Sequence, residues 1–384
     1  MTFEANSTGY SFGIARHFRR TKIDLQCEIV TPMFLGNASQ DAELRAAPFK
    51  AQLRYWWRVA YGHDISTEDL FEKESLLFGK GGKEAGRSLV TVQVYGSLKK
   101  EEGLFSEWQK MEKQKVKHPE VDKPMDGLVN PLLYLGGIGL MNPIGRVKHS
   151  YFPPKSNFTV CVTFPEAFQK DLVRVMDFVR AFGAIGARCR NGWGSFQTSN
   201  SSIPDQEPLI TAFPWKQGMQ RHDYPNCFGM DDRGFLLWGT QNISSGWAEC
   251  MREIAKAYIS LRVIDFPDPT TKMTLKAFDP GGKDKPAERH LLGFPLTHHE
   301  ALQAQNWGNH GRHASPLRFV VRKSATGFVG LALHLPFRLS DEMNRDGKKE
   351  YFSVENQIEV WDRVHRKLDI LMERVSLEDL RRYI

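Results

Sequence analysis

Hydrophobic and polar positions follow two distinct rhythms along this chain. From Lys22 to Leu35, Ile23, Leu25, Cys27 and Ile29 alternate with polar partners, the period-2 signature of a half-buried strand. Ser88–Leu98 and Asn157–Phe164 alternate in the same way and are rich in β-branched residues, and Ser195–Thr198 fits a short closing strand. Two stretches carry the helical rhythm instead. Between Leu44 and Tyr61, Phe49, Leu53, Trp56 and Ala60 fall within one stripe about 60° wide, with Pro48 suited to the helix start and Gly62 to its stop. Glu166–Phe182 places Phe168, Leu172, Val175, Val179 and Phe182 at helical spacing, and Gly183 suits a left-handed cap. Glu101–Gly127, poor in aliphatics and rich in Lys and Glu, reads as a solvated insertion. The resulting order, β-α-β-β-α-β over roughly residues 10–200, is that of a ferredoxin-like or RRM-like domain.

The second half is less regular. Trp247–Val263 is amphipathic through Trp247, Met251, Ile254, Tyr258 and Leu261, and Asp265–Glu288 is a loop rich in Pro, Gly and Lys. Leu317–Lys323 and Gly327–Leu335 read as a hairpin, with a helix over about Val354–Val375 and a final helical turn from Ser376. These elements define a second, degenerate α+β domain. A short echo, A-A-P-F-K at 46–50 against A-S-P-L-R at 314–318, hints at duplication, although the second copy enters a strand.

Composition narrows the class. With 384 residues, 41% hydrophobic and 25% charged, the chain suits two soluble domains. The net charge of +7 is uneven: residues 1–200 carry 27 basic against 21 acidic side chains, and residues 201–384 carry 25 against 24. Such a footprint suits a groove that tracks a phosphate backbone. Five scattered cysteines without a C-x-x-C pair favour neither disulfides nor a zinc site and fit a reducing cytoplasm. No signal-like or membrane-spanning run occurs, so a membrane partner is not expected.

The candidate chemistry is that of nucleic-acid binding. Lys50, Arg54 and Arg58 stack at i, i+4 and i+8 on the helix, a repulsive arrangement that something anionic should relieve, and Trp57 borders this stripe where an indole could stack on a base. The alternative is a solvated basic face. Arg45 precedes the helix. The loop G-A-I-G-A-R-C-R-N-G-W-G-S-F, Gly183–Phe196, offers Arg188, Arg190 and Trp193 on a backbone a polynucleotide can approach closely, or its glycines serve tight turns alone. Arg146 and Lys148 form a third basic patch. Phosphate-loop spacings are missing, so no nucleotide cofactor is expected, and His290, His298, His299, His310 and His313 lack ligand partners at zinc spacing. Asp41, with Glu43 nearby, and His17 are the only catalytic candidates, each without an evident partner.

Taken together, T-P-M-F-L-G-N-A-S-Q-D-A-E-L-R-A-A-P-F-K-A-Q-L-R-Y-W-W-R, the glycine-rich loop and R-H-A-S-P-L-R-F resemble the RAMP superfamily of CRISPR proteins, and within it the Cmr subunit-one family of type III-B effector complexes. This resemblance implies an α+β chain of two tandem ferredoxin-like (RRM-like, βαββαβ) RAMP domains, residues 1–205 with a charged insertion near 101–127 and residues 206–384, the second degenerate. It further implies a subunit that binds guide RNA near its 3′ end and target RNA beside other effector subunits, without cutting. It maps the family's basic helix onto Lys50, Arg54, Trp57 and Arg58 and its glycine-rich loop onto Gly183–Gly194. The alternative is a RAMP endoribonuclease acting through Asp41 with a metal, or through His17 without one.

Overall fold

The computed structural model describes residues 19–81, 86–108, 110–117, 126–199, 210–262, 288–293, 313–346 and 349–383. His17, His298, His299, His310 and most of the Asp265–Glu288 loop lie outside the described residues.

The first half runs β1 (Arg20–Ile29), α1 (Ala46–Tyr61), α2 (Thr67–Phe78), β2 (Thr91–Tyr95), the pair β3 (Gln114–Lys117) and β4 (Asp126–Val129), α3 (Pro131–Leu140), β5 (Asn157–Pro165), α4 (Gln169–Phe182) and β6 (Phe196–Ser199). Its antiparallel sheet has the order β2-β5-β1-β6, with Ile23 opposite Val162 and Cys27 opposite both Phe158 and Thr198. Counting only those four strands and α1 and α4, this is the ferredoxin-like arrangement, with α2 and the α3 region inserted. Pro32 and the buried run Thr31–Leu35 end β1 earlier than the alternation suggests.

The second half runs β7 (Ala212–Pro214), α5 (Trp215–Arg221), β8 (Phe228–Asp231), β9 (Gly234–Phe235), β10 (Leu237–Gly239), α6 (Trp247–Arg262), β11 (Leu317–Ser324) and β12 (Gly327–His334). It ends with α7 (Asp341–Asn344), β13 (Arg345–Asp346), β14 (Lys349–Glu350), α8 (Val354–Leu371), β15 (Glu373–Arg374) and α9 (Leu377–Arg381). The sheet order β11-β12-β10-β15, with α6 and α8 as crossovers, repeats the topology of the first half with first and last strands of only three and two residues. The protein is therefore α+β with two ferredoxin-like sheets, the second degenerate. The A-A-P-F-K echo does not reflect this duplication: Ala46–Lys50 opens the first helix of one unit, whereas Ala314–Arg318 leads into the second strand of the other.

Strand parity stacks the layers. Ile23, Leu25, Cys27 and Ile29 turn toward α1 and α4, whose far side meets Val320, Leu331 and Leu333 of the second sheet in one core. Trp56 lies stacked on Phe178, with ring centres 5.5 Å apart, and Phe182 packs on Phe228 at 5.6 Å. The opposite parity of β11, Leu317, Phe319 and Val321, joins a second core beneath α6 and α8. The sequence of layers is sheet, helices, sheet, helices. Two buried arginines of β11 bind the layers: Arg322 donates to the carbonyls of Ala181 (2.7 Å) and Gly183 (3.3 Å), and Arg318 to that of Ala184 (3.0 Å), all at the negative end of α4. The inserted α3 packs on α6 through Leu132 and Leu135, and Phe105 is buried beside them, so the region after Glu101 is not merely solvated. Gly183 has extended geometry (φ −61°) rather than the left-handed cap; a side chain there would meet the Val179 carbonyl at 2.4 Å. Among the described residues, no helix is long and apolar enough to cross a membrane.

Candidate nucleic-acid interface

An RRM-type domain binds single strands on aromatics of its two central strands. Neither sheet offers that surface. The outer face of the first sheet presents Lys22, Asp24, Gln26 and Glu28 on β1 and Thr159, Cys161 and Thr163 on β5; the aromatics of these central strands, Phe158 and Phe164, are buried on the inner face. Its charges are paired internally, Lys22 to Asp24 at 3.1 Å and Lys323 to Glu28 at 2.9 Å. The equivalent face of the second sheet is buried against α1 and α4.

The cationic stripe of α1 meets its anion within the chain. Arg54 Nε lies 2.5 Å from Glu74 Oε1, and Arg58 Nη1 3.2 Å from Oε2. Glu74 is 1% exposed and sits on α2, which the sequence analysis missed. Its signals were present. Ser66 caps the helix by accepting from the Asp69 amide at 3.1 Å, Glu68 and Asp69 favour its first turn, and the acid at 74 shares the stripe of Leu70, Leu77 and Phe78. The expectation that RNA relieves this stripe is thus corrected for Arg54 and Arg58, because one buried carboxylate already binds both. Lys50 makes no ion pair among the described residues; burial and then Arg54 lower its pKa. Trp57 is corrected too: it is buried in the first core with Tyr61 at 5.5 Å, and its ring is closed to a base.

The glycine-rich loop is chiefly a packing device. Gly194 (φ +62°) would place a Cβ 1.9 Å from the Ile185 carbonyl, and Gly186 (φ +95°) one 2.5 Å from the Phe34 carbonyl, so only glycine fits at either position. The loop is laced to the segment after β1: Ala187 donates to Phe34 (2.9 Å), Gly194 to Pro32 (3.0 Å), and the Thr31 hydroxyl to the Gly192 carbonyl (2.7 Å). Trp193 is fully buried against Phe34, Phe105 and Trp247, which corrects its expected role in stacking.

What reaches solvent is a rim around residues 34–42. Arg45 is exposed and donates to the Gly36 carbonyl. Arg188, exposed and held at φ +58°, sets its guanidinium over the α3 kink, where a Cβ on Gly137 would stand 3.1 Å from Nη2. The Lys148 amide donates to Leu140 at the end of the same helix (2.9 Å), with its side chain exposed. Segment 147–152 returns to the rim through the Phe152–Met33 bridge and through Ser150, whose oxygen accepts from the Ala42 amide at 2.8 Å. Arg45, Lys148 and Arg188 are thus carried to one loop cluster from three distant parts of the sequence. Arg190 is half-buried behind it, and Arg146 is exposed on the adjoining 142–146 turn beside Ile144.

Asp41 belongs to this rim as a turn residue. Its Oδ1 accepts from the Ser150 hydroxyl (3.0 Å), and its amide donates to Asn37 Oδ1 (3.1 Å). Among the described residues, no three His, Cys, Asp or Glu side chains are grouped to hold a metal ion. His290 and His313 are buried, and His313 is hydrogen-bonded to the Leu291 carbonyl at 3.2 Å.

A ferredoxin-like sheet closed by a glycine-rich loop after its second helix is the part of the chain that finds a match: residues 26–197 match the model of the RAMP superfamily. Among solved structures, the chain is similar to Cmr1 from Pyrococcus furiosus in its apo form (16% identity, 86% of this chain and 92% of that chain, TM-score 0.47). It is also similar to a chain of the type III-B Cmr-beta complex bound to cognate target RNA (10% identity, 91% and 100% covered, TM-score 0.48). No curated protein matches the sequence.

Proposed function

We propose that this protein is a non-catalytic RNA-binding subunit of a CRISPR effector complex of the type III-B kind, contacting guide RNA, target RNA or both through the rim of Arg45, Lys148 and Arg188. Lys50, Arg146 and Arg190 flank that path. The observation that carries this reading is the convergence of three exposed cations on one glycine-rich loop cluster, while one sheet face is buried and the other is polar and internally paired. The RAMP match over residues 26–197 supports the class of ligand. Binding without turnover agrees with an Asp41 carboxylate already engaged by Ser150.

The test is the salt dependence of single-stranded RNA binding by the full chain. Each lost phosphate contact removes about 0.7 from the slope of log affinity against log salt, so Arg45→Ala, Lys148→Ala and Arg188→Ala together should lower it by about 2. A triple variant with wild-type affinity and slope refutes the assignment. Copurification from the native host tests the partners: guide RNA and other effector subunits should accompany the wild-type chain.

A further inference from the structure

Backbone strain collects at the same end of the first sheet as the rim. Among the described residues, every positive φ belongs to glycine except at Gln40 (+66°), Lys155 (+68°) and Arg188 (+58°). The left-handed region brings Cβ against the following carbonyl oxygen, so glycine fills it without strain, and asparagine or aspartate offsets the strain with a local hydrogen bond. Gln, Lys and Arg do neither. All three side chains are exposed, and none makes a hydrogen bond or ion pair with the described residues, so no contact inside the chain offsets the strain.

Each of the three is fixed, by its own amide or its neighbour's, to one stretch of chain, residues 29–42. The Gln40 amide donates to the Asn37 carbonyl at 3.0 Å, inside the turn closed by the Gly36–Ala42 bridge. The Lys155 amide donates at 2.7 Å to the carbonyl of Ile29, the last residue of β1, and the Ala187 amide, next to Arg188, donates to that of Phe34 at 2.9 Å. Between these bonds Met33 exchanges both its backbone groups with Phe152, whereas Pro32 and Phe34 turn their carbonyls to Gly194 and Ala187. Alternate residues of an extended chain direct their amides and carbonyls to opposite sides. The run therefore lies between segment 148–156, which carries Lys148 and Lys155, and the glycine-rich loop, which carries Arg188.

Strained residues persist only where the surrounding structure over-determines them, and they cluster where a ligand is gripped. A loop position that suits glycine, yet carries a long polar side chain without a partner in the chain, presents that side chain to something outside it. We propose that Gln40 and Lys155 are RNA contacts, and that with Arg188 they grip the strand that crosses the rim. Lys155 and Arg188 take phosphates on the two sides of residues 29–36, and Gln40 takes a backbone oxygen at the turn. Arginine, lysine and glutamine all make such contacts. The inference rests on the RNA-binding reading above and adds two residues to its site, one of them uncharged.

Its test joins the melting temperature of the full chain to its affinity for a single-stranded RNA of mixed sequence across a salt series. Gln40→Gly and Lys155→Gly should each melt higher than the wild type, because release from the left-handed region outweighs the freedom that glycine adds to the unfolded chain. Both should nonetheless bind RNA more weakly. Lys155→Gly should lower the slope of log affinity against log salt by about 0.7. Gln40→Gly should lose about threefold or more in affinity with the slope unchanged, as loss of a neutral hydrogen bond implies. Lys155→Gln, which keeps the strain and removes the charge, should lose the same slope without the gain in melting temperature. Glycine variants that melt no higher than the wild type, or that bind RNA with wild-type affinity and slope, overturn the grip; if the Arg45, Lys148 and Arg188 triple variant still loses its slope, the RNA-binding reading stands. A wild-type chain that binds no RNA overturns that reading, and this inference with it.

Discussion

Replacing Arg322 by methionine removes a guanidinium that is fully buried between the two sheets. Three bonds are lost, to the carbonyls of Ala181 (2.7 Å), Val321 (2.9 Å) and Gly183 (3.3 Å). The acceptors do not suffer equally. Gly183 keeps the Phe196 amide at 3.2 Å, and Val321 lies within the paired strands β11 and β12. Ala181 is left alone, because Ile185, whose amide would close the next helical turn, donates to Gly194 instead at 3.0 Å. One orphaned buried acceptor costs about 1–3 kcal/mol, and loss of the cation at the negative end of α4 adds up to about 1. Relief of the guanidinium's desolvation opposes both. That cost is visible in the pKa, which burial, aided by Arg318, lowers to about 9, so the side chain stays charged at neutral pH. We expect Arg322→Met to lose about 1–3 kcal/mol, and Arg322→Ala about 2–5 kcal/mol more, because the stem's volume is then left empty. Urea unfolding at pH 7, with the m-value confirming a single transition, reads both losses. A methionine variant as stable as the wild type, or more so, would refute the reasoning, since the desolvation cost would then outweigh the clamp.

Two further predictions concern stability and its pH dependence. Trp193→Ala should lose about 3–5 kcal/mol as a fully buried aromatic, and Trp57→Phe about 1, with RNA affinity of the folded protein unchanged in both; melting curves beside RNA titrations check this, and a selective loss of affinity at normal stability would restore the stacking role. His334 and His365 are buried 2.9 Å apart; burial holds His334 at about 3 and lowers His365, with His334, Arg374, Arg233 and Lys216 contributing to the latter. As pH falls below 6.5 the unfolded chain takes up protons that these folded histidines refuse, so stability should drop toward pH 3, by up to about 1.4 kcal/mol per pH unit for each histidine. His334→Gln should make that decline shallower between pH 6.5 and 4.5, and coincident slopes for the variant and the wild type would count against a neutral buried pair.

Much of the architecture was legible from local pattern. Period-2 alternation at Ile23, Leu25, Cys27 and Ile29, and helical spacing at Phe49, Leu53 and Trp56, reflect which side of each element meets the core, and the observed β1, α1, β5, α4 and the β11–β12 hairpin lie within a few residues of those stretches. The short strands β10 and β15 carried too few positions to show a period and were missed. Helix α2 was overlooked although its cap and apolar stripe were present. The site was less legible still. Sequence pattern identified an arginine-bearing, glycine-rich loop, and its Arg188 reaches solvent around one turn together with two of the proposed companions, Arg45 and Lys148.

Local pattern therefore settles the set of elements and the side of each that is apolar, because those depend on neighbours within a turn of helix or two residues of strand. Which cations are free for a ligand was decided only in three dimensions. Arg54 and Arg58 are claimed by a carboxylate from another helix, Trp57 and Trp193 are covered by residues far along the chain, and Arg318 and Arg322 are drawn inside to cap a helix of the other half. Charge and aromaticity are properties of a residue, but their availability depends on long-range packing, which brings together groups that no local window contains.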